Sequence, residues 1–303
     1  MPKKILSLFS KIALSVVIVA GIYCFCNWQT QGFRTYLILS NLPNDPRWEM
    51  PQLSLEEDRN LRSLLDQPFT FIGKGGWCFA FLGADQTTVL KFYRHDHLKP
   101  LSLVTEFSWH KLLHHCPMLA QGTSYFQEFN FSSCVLLHHQ LKHRTGLLYA
   151  HLNKAQDHFG TVTLIDKIGI RHQIDLDRTE FVIQRKAVFL VDYIAEVMAK
   201  NDLKKAQQII DDYLGCLTEL CTSGIRDLDR KFKDNYGVID ERVVTLDISS
   251  FVTDPSLKQP APAKKEIILK SHAFAKWLSK KYPDLFTYLD NRLTELLEKE
   301  DLT

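Results

Sequence analysis

The sequence has little net charge. Its 37 lysines and arginines nearly balance its 35 aspartates and glutamates, which leaves a formal charge of +2. No basic stripe is interleaved with aromatic residues, so we expect no nucleic-acid partner. Internal repeats and low-complexity blocks are also lacking, which argues against a repeat protein. With 45% hydrophobic and 24% charged residues, this is an ordinary globular chain, long enough for a two-lobed domain.

Paired cysteine spacings are lacking as well. Two of the seven cysteines, Cys24 and Cys26, lie inside an apolar run, and the other five are an odd number without a pairing pattern. We predict reduced, mostly buried thiols. The histidines His95, His97 and 114–115 have no second cluster at zinc-ligand spacing, so we interpret them as surface and cap residues.

An uncharged, mostly apolar run occupies residues 12–26 and follows a basic segment that ends at Lys11. Together with the apolar residues before Lys11, it approaches the length of about 17 to 25 residues that crosses a bilayer as a helix. A cleaved signal peptide is the alternative, with a weak cleavage site at Ala20. Because the apolar run continues past Ala20, we favour an uncleaved single-span anchor over residues 1–28.

Two patterns disagree about the side of the membrane on which the rest of the chain lies. The basic residues before the apolar run keep the N-terminus in the cytoplasm by the positive-inside rule, which carries the following domain across the membrane and away from ATP. The unpaired cysteines instead favour a reducing compartment.

Local patterns predict the order of the remaining elements. Residues 29–66 are broken by prolines and are interpreted as a tether with one short helix capped by Ser54. Alternating residues predict a strand at 87–93, a hairpin at 161–176 and a strand at 181–185. Helical periodicity predicts helices at 101–115, 145–158, 188–200, 203–221, 264–281 and 284–299, with a loop at 255–262.

A glycine-rich hairpin is predicted over residues 69–83. Strand-forming aromatic residues flank Gly73, Gly75 and Gly76. Glycines at such a turn let the backbone come close to an anion, although an ordinary hairpin turn has the same composition. The next predicted strand carries Lys91.

Acidic and amide side chains are concentrated in residues 224–251. Asp227, Asp229 and Asn235 precede a β-branched run, and Asp247 follows it. A hard divalent cation prefers such oxygen ligands, and phosphate oxygens complete its shell. The span therefore predicts a site for a divalent metal and phosphate, with turn and cap residues as the structural alternative.

Taken in order, these elements resemble the protein-kinase-like superfamily over residues 66–251. The resemblance implies that the glycine-rich turn covers the phosphates of ATP and that Lys91 pairs with them. It also implies that Glu106, on the helix after this strand, pairs with Lys91.

The same resemblance gives roles to the acidic residues. Because Arg226-Asp227-Leu228 matches the catalytic loop, Asp227 is expected to orient or deprotonate an acceptor hydroxyl, and Asp229 is the alternative. Asn235 and Asp247 are expected to hold Mg²⁺ or Mn²⁺.

The chain departs from the family pattern at several positions. Cys78 stands where the third glycine of the turn is expected, and Ile225 stands where histidine is usual. Ile248-Ser249 follow Asp247 in place of Phe-Gly, and no Ala-Pro-Glu motif follows. The short C-terminal part is similar in size to small bacterial kinase-like phosphotransferases that act on sugars or lipid-linked sugars.

The resemblance implies an α+β, two-lobed kinase-like fold after one transmembrane helix. An antiparallel β N-lobe is expected at residues 67–186 and a shortened helical C-lobe at residues 187–303. The implied function is membrane-anchored transfer of phosphate from ATP, with Mg²⁺ or Mn²⁺, to an unidentified hydroxyl on a protein, sugar or lipid-linked sugar. The alternatives are a catalytically inactive, pseudokinase-type scaffold that binds a partner or nucleotide, and an unrelated anchored structural protein.

We predict that the full-length chain stays with membranes during carbonate extraction, because an uncharged helix of this length is held by the bilayer core. Immunoblotting of the pellet and the supernatant measures this. Release of the full-length chain into the supernatant would contradict the anchor.

Overall fold

The computed structural model describes residues 3–39, 42–95 and 127–299, and the side chains of residues 11–39, 42–95 and 129–299. The described residues form a mixed α/β protein that divides into two compact units. The first unit contains residues 3–39, 53–95 and 154–181, and the second unit contains residues 42–52, 127–153 and 182–299.

The described helices are α1 (Lys3–Gln29), α2 (Leu55–Leu65), α3 (Ser132–Gln140), α4 (Leu190–Ala199), α5 (Leu203–Thr222), α6 (Pro260–Lys281) and α7 (Pro283–Glu298). The described strands are β1 (Phe69–Lys74), β2 (Cys78–Gly83), β3 (Thr88–Tyr93), β4 (Leu147–His151), β5 (Thr161–Ile165), β6 (Arg171–Asp175), β7 (Phe181–Arg185), β8 (Val188–Phe189), β9 (Ile225–Asp227), β10 (Tyr236–Ile239), β11 (Arg242–Thr245) and β12 (Phe251–Thr253).

Helix α1 is long and apolar enough to cross a membrane over Lys11–Gln29, where its mean hydropathy is 1.7 and none of it is buried against the protein. An N-terminal signal sequence has the same length and composition. Beyond the end of the helix at Gln29, Gly32 has a φ of +78°, in the left-handed region. Its N–H donates to the carbonyl of Asn27 at 2.9 Å, which closes the last turn of the helix.

The chain enters the core of the first unit directly after this turn. Phe33 is 3% exposed, and its ring centroid lies 5.2 Å from those of Phe79 and Phe81 and 6.1 Å from that of Phe71. Phe33 belongs to the stretch that we interpreted as a tether, and its burial joins α1 to the sheet.

Later in that stretch, the predicted Ser54 cap of α2 is confirmed, because Ser54 and Glu57 form a complete capping box.

Five strands of the first unit lie side by side in the order β3-β2-β1-β5-β6. The hairpins predicted at 69–83 and 161–176 are confirmed, and their strands are antiparallel. The expected all-antiparallel sheet is wrong at one place, since β1 and β5 are parallel, with Thr70 opposite Ile165. More than eighty residues separate the end of β1 from the start of β5, and a connection of this length allows a parallel pair.

The second unit is built around α5. The predicted apolar face of this helix is confirmed, because all of its members are buried: Ile209, Ile210, Tyr213, Leu217 and Leu220. Helix α5 packs against α4, α6, α7 and β11. Two small strand groups complete the unit, the β8-β10-β11 sheet and the antiparallel pair of β9 with β12.

The helix predicted at residues 145–158 is wrong. Residues Leu147–His151 form strand β4, which lies beside β7. Gly146 precedes the strand with a left-handed φ of +62°, and its carbonyl accepts the N–H of Arg185 at 2.8 Å. Pairing with a distant strand therefore outweighs the local helical pattern.

Smaller predictions also need correction. Val188 and Phe189 form β8, so the following helix begins at Leu190. The predicted loop 255–262 holds a short 3-10 turn, and α6 begins within it at Pro260, a favoured first helical residue. His95 is not a surface residue, because it is 1% exposed and its Nε2 lies 3.1 Å from the buried Glu180 carboxylate.

The cysteines of the described ranges form no disulfide, as predicted. Cys24 and Cys26 are exposed on α1 and Cys78 is half-buried, whereas three cysteines of the second unit are fully buried: Cys134, Cys216 and Cys221.

Arg144 is a buried cation of the second unit. Its Nη1 donates to both carboxylate oxygens of Asp212 at 2.9 Å, and its Nε and Nη2 donate to Glu219 at 2.9 and 2.6 Å. Asp212 and Glu219 lie on α5, so Arg144 fixes the chain before β4 to that helix. The hydrogen bonds from Arg144 lower the pKa of Glu219 to about 2.

We predict that Glu219→Gln lowers the free energy of unfolding at neutral pH and weakens its acid dependence. The pKa of Glu219 is lower in the folded chain than in the unfolded chain. The contribution of Glu219 to the free energy of unfolding is therefore fully present above about pH 4.5 and is lost as the pH falls toward about 2. Equilibrium unfolding of the full chain in detergent at a series of pH values measures this. Glu298→Gln, at the exposed end of α7, is the control that should keep the wild-type dependence. An unchanged acid dependence in Glu219→Gln would contradict the prediction.

Candidate functional site

The glycine turn (residues 73–76) connects β1 and β2 in the first unit. The pairing of these strands shifts register between Phe71 and Gly73. A Cβ atom at Gly73 or Gly76 would meet nothing within 4 Å, and one at Gly75 would meet only the Cys78 carbonyl at 3.8 Å. None of the three has a left-handed φ. Neither packing nor backbone strain within the described residues therefore requires glycine here, whereas close approach of a ligand to the backbone would require it.

Arg94 supports the glycine turn from the end of β3. Its Nη1 donates to the carbonyls of Gly75 and Gly76 at 3.0 and 3.3 Å, and its backbone N–H donates to the carbonyl of Trp77 at 2.7 Å. Nothing in the local sequence pattern links the end of β3 to the turn, so Arg94 was not predicted as part of it. Arg94 therefore fixes the carbonyl groups of Gly75 and Gly76.

Lys91 lies in the middle of β3, opposite Ala80 of β2. It is half-buried, and the other residues of the strand are buried. The proposed partner Glu106, with the predicted helix 101–115, lies outside the described residues.

Asp227 ends strand β9 in the second unit and is 7% exposed. Its Oδ1 accepts hydrogen bonds from Ser250 Oγ at 2.7 Å and from the backbone N–H of Asp229 at 2.9 Å. Its Oδ2 lies 2.9 Å from Nζ of Lys270. Both oxygens of this carboxylate are therefore engaged inside the protein.

Lys270 comes from α6, far along the chain. Its side chain is 8% exposed, and its Nζ also donates to the backbone carbonyl of Asp229. Burial raises the pKa of Asp227, and the lysine, Ser250 and the Asp229 amide oppose that rise. The sequence gives no local signal for Lys270, because a lysine on a long amphipathic helix is most often a solvated one.

Asp229 follows in the same loop and is half-buried. Its Oδ1 accepts the N–H of Lys231 at 2.9 Å. Its Oδ2 has no hydrogen-bond partner within the described part of the chain. Asp229 therefore has one carboxylate oxygen without a partner among the described residues, whereas both oxygens of Asp227 have partners.

Asn235 and Asp247 lie at the open end of the β10–β11 hairpin. The carbonyl of Asn235 accepts the N–H of Leu246 at 2.7 Å, which places Asn235 beside the residue that precedes Asp247. Asn235 is 5% exposed, yet its side-chain amide makes no hydrogen bond to any residue that the structure describes. The atoms of this amide are not sealed from solvent, so a ligand can also reach them.

Ser249 fixes the carboxylate of Asp247. Its N–H donates to Oδ1 at 3.0 Å, and its hydroxyl also donates to this oxygen. The other oxygen of Asp247, Oδ2, has no partner among the described residues. It is therefore available to a cation.

Ser133 of α3 holds the loop that follows Asp247. Its hydroxyl donates to the carbonyl of Ile248 at 2.6 Å and accepts the N–H of Phe251 at 2.8 Å. Ser133 is fully buried. These two hydrogen bonds of Ser133 were not predicted, because the segments that they join are more than a hundred residues apart in the chain.

At the open end of the β10–β11 hairpin, the described residues offer a metal one amide and one carboxylate. Nowhere in the described ranges do three or more His, Cys, Asp or Glu side chains form a group that could hold a metal ion. Asn235 and Asp247 supply oxygen atoms, which suit Mg²⁺ or Mn²⁺ when phosphate and water oxygens complete the shell. The donors therefore fit a metal that arrives with a phosphate ligand and do not form a complete metal cage.

The predicted site residues fall in the two units. The glycine turn and Lys91 belong to the first unit, and the acidic and amide residues belong to the second. Within the second unit, Ser250 joins the two acidic segments, since it bonds Asp227 and lies in the loop that follows Asp247.

No protein-family model and no curated protein matches the chain. Among solved structures, it is similar to that of the bifunctional kinase-methyltransferase WbdD, with 13% sequence identity and a TM-score of 0.34. The similarity covers 72% of this chain and 42% of that chain, so this chain spans less than half the length of that protein.

We predict that Lys270→Met lowers the free energy of unfolding by about 3 to 5 kcal/mol, because it leaves the buried Asp227 carboxylate without its counter-charge. The loss should shrink as the pH falls, since protonation neutralises that carboxyl group. Equilibrium unfolding of the full chain in detergent measures both effects.

Lys276→Met is the matched control, because Lys276 is exposed on the same helix, and it should change stability by less than about 0.5 kcal/mol. The double change Asp227→Asn with Lys270→Met should recover part of the loss. Equal stability of Lys270→Met and Lys276→Met would show that the ion pair does not hold the loop.

Proposed function

We propose that this chain is a membrane-anchored, kinase-like phosphotransferase that uses ATP and Mg²⁺ or Mn²⁺ to phosphorylate a hydroxyl group. The observation that carries the proposal is that the amide of Asn235 and one carboxylate oxygen of Asp247, on neighbouring segments, have no hydrogen-bond partner among the described residues. A bound divalent cation would neutralise charge on the nucleotide phosphates. Asn235 and Asp247 are the residues that would hold it.

The first unit supports the nucleotide part of the proposal. Packing does not require the three glycines, and in this proposal their lack of side chains lets phosphate oxygens approach the backbone of the turn. Lys91, on the strand after this hairpin, would contribute a positive charge to the same phosphates. We propose that these elements and the acidic loop belong to a two-lobed, protein-kinase-like fold, and that α1 is an uncleaved anchor.

We propose Asp229 as the residue that orients or deprotonates the acceptor hydroxyl. A general base needs an accessible oxygen within hydrogen-bond reach of the proton that it accepts. Asp229 has such an oxygen, whereas both oxygens of Asp227 are bonded to Lys270, Ser250 and the loop backbone. Asp227 is then a positioning residue that holds the loop, although its Arg-Asp-Leu context first favoured it as the catalytic one.

An inactive scaffold is the second candidate. Cys78 replaces the third glycine of the turn, and the aspartate of the Arg-Asp-Leu segment is fully engaged in a buried ion pair. In this case the chain binds a nucleotide or a partner without phosphate transfer. The same experiment separates the two candidates.

We predict that ATP with Mg²⁺ or Mn²⁺ raises the melting temperature of the full chain in detergent, because a ligand that binds only the folded state stabilises it. Asp247→Asn should lose this shift, since it removes a metal ligand. Asp229→Asn should keep the shift and lower phosphate transfer or ATP hydrolysis by about 10² to 10⁴. Asp227→Asn should lower the melting temperature even without ligand.

Asp290→Asn, at an exposed position of α7, is the control that should leave the shift and the turnover unchanged. A shift without turnover in the wild-type chain would favour the scaffold. Loss of turnover in a stable Asp227→Asn protein, with Asp229→Asn active, would return the catalytic role to Asp227. If ATP shifts the melting temperature with neither metal, both the phosphotransferase and a nucleotide-binding scaffold would be contradicted.

A further inference from the structure

The tip of the β5–β6 hairpin presents apolar side chains to solvent. Ile168 and Ile170 flank Gly169 and are each 52% exposed. The tip is held in place by Asp166, whose Oδ1 accepts the N–H groups of Ile168 at 3.0 Å and Ile170 at 2.9 Å. The tip is therefore an ordered turn, and packing within the first unit does not account for its two isoleucines.

This tip lies at the same end of the sheet as the last residues of β1. Because β1 and β5 are parallel, with Thr70 opposite Ile165, the residues that follow each of them emerge at one edge. Ile72, near the end of β1, is also 52% exposed. Three half-exposed isoleucines thus share one end of the first unit.

Helix α1 joins the first unit close to this end. Phe33 packs against Phe71, which precedes Ile72, and against His172, whose ring centroid lies 5.7 Å away and which follows the hairpin tip. Lys74 Nζ lies 3.4 Å from the point that a Cβ of Gly32 would occupy. Near the end of α1, Trp28 is 70% exposed, and tryptophans at the end of an apolar helix commonly lie at the membrane–water interface.

The charges around the isoleucines are positive. Lys167 and Arg171 flank the hairpin tip, Lys74 ends β1, and all three are exposed without an ion pair to any described residue. The nearby carboxylate of Asp166 is buried and bonded to the tip backbone and to His172. Exposed isoleucines interleaved with unpaired cations match the composition of segments that lie in the headgroup layer of a membrane.

We propose that this end of the first unit, the hairpin tip with the end of β1, rests on an anionic bilayer surface. The inference depends on the proposed anchoring by α1. The bilayer that holds α1 is the occupant, Ile72, Ile168 and Ile170 enter its interface, and the three cations contact lipid phosphates. Charge complementarity and continuity with the end of α1 favour a lipid surface over a protein partner.

Hydrogen–deuterium exchange of the full chain in nanodiscs tests this. Amides of residues 167–171 should exchange more slowly by about fivefold or more in phosphatidylcholine discs with 30% phosphatidylglycerol, at roughly the lipid ratio of an anionic leaflet, than in phosphatidylcholine alone. The difference should disappear in about 1 M salt, which screens the attraction. Lys167→Glu with Arg171→Glu should also abolish it, and Ile168→Ser with Ile170→Ser should speed exchange in both lipids.

Ile268→Ser is the matched control, because Ile268 is 42% exposed on α6 of the second unit, and it should leave the exchange of the tip unchanged. A chain that enters nanodiscs through α1 but shows equal tip exchange in both lipids overturns the surface contact and leaves the anchor intact. A chain that does not enter nanodiscs overturns both. Slowed exchange only upon addition of a second protein to the discs would identify a protein partner and overturn the lipid contact.

Discussion

The buried ion pair between Asp227 and Lys270 is the interaction on which the candidate site depends. An ionised carboxylate is unstable in a protein interior unless charge and hydrogen bonds compensate it. Here the lysine supplies the charge, and Ser250 and the Asp229 amide supply hydrogen bonds. Since Lys270 also binds the carbonyl of Asp229, one side chain of α6 fixes both ends of the short segment that begins the loop.

The acidic residues of the candidate site differ in how many of their carboxylate oxygens are already bonded. Both carboxylate oxygens of Asp227 are bonded within the protein, while Asp229 and Asp247 each have one oxygen without a partner in the described residues. Two serines follow Asp247, and each forms a different hydrogen bond. Ser249 bonds its carboxylate, and Ser250 connects the same loop to Asp227. A change in the position of either loop would therefore alter the other.

Short-range patterns predicted much of the fold. The glycine hairpin, the Ser54 cap and the buried face of α5 follow from residues a few positions apart, so the sequence was sufficient for them. The parallel pairing of β1 with β5 and the strand at Leu147–His151 depend on partners far along the chain, and local propensity gave no sign of them. The same reason explains the missed residues of the site. Ser133, Lys270 and Arg94 act on segments that only the folded chain brings near, whereas Asn235 and Asp247 are separated by one short hairpin and were predicted as metal ligands from the sequence.

The junction after α1 has a mechanical consequence. Gly32 closes the helix, and Phe33 is already locked among the rings of the sheet, so no flexible hinge separates the two. If α1 spans a bilayer, the first unit tilts and rotates with it. The tilt of a membrane helix changes with the thickness of the hydrocarbon layer. Bilayer thickness would then set the angle at which the sheet, with its glycine turn, faces the lipid surface.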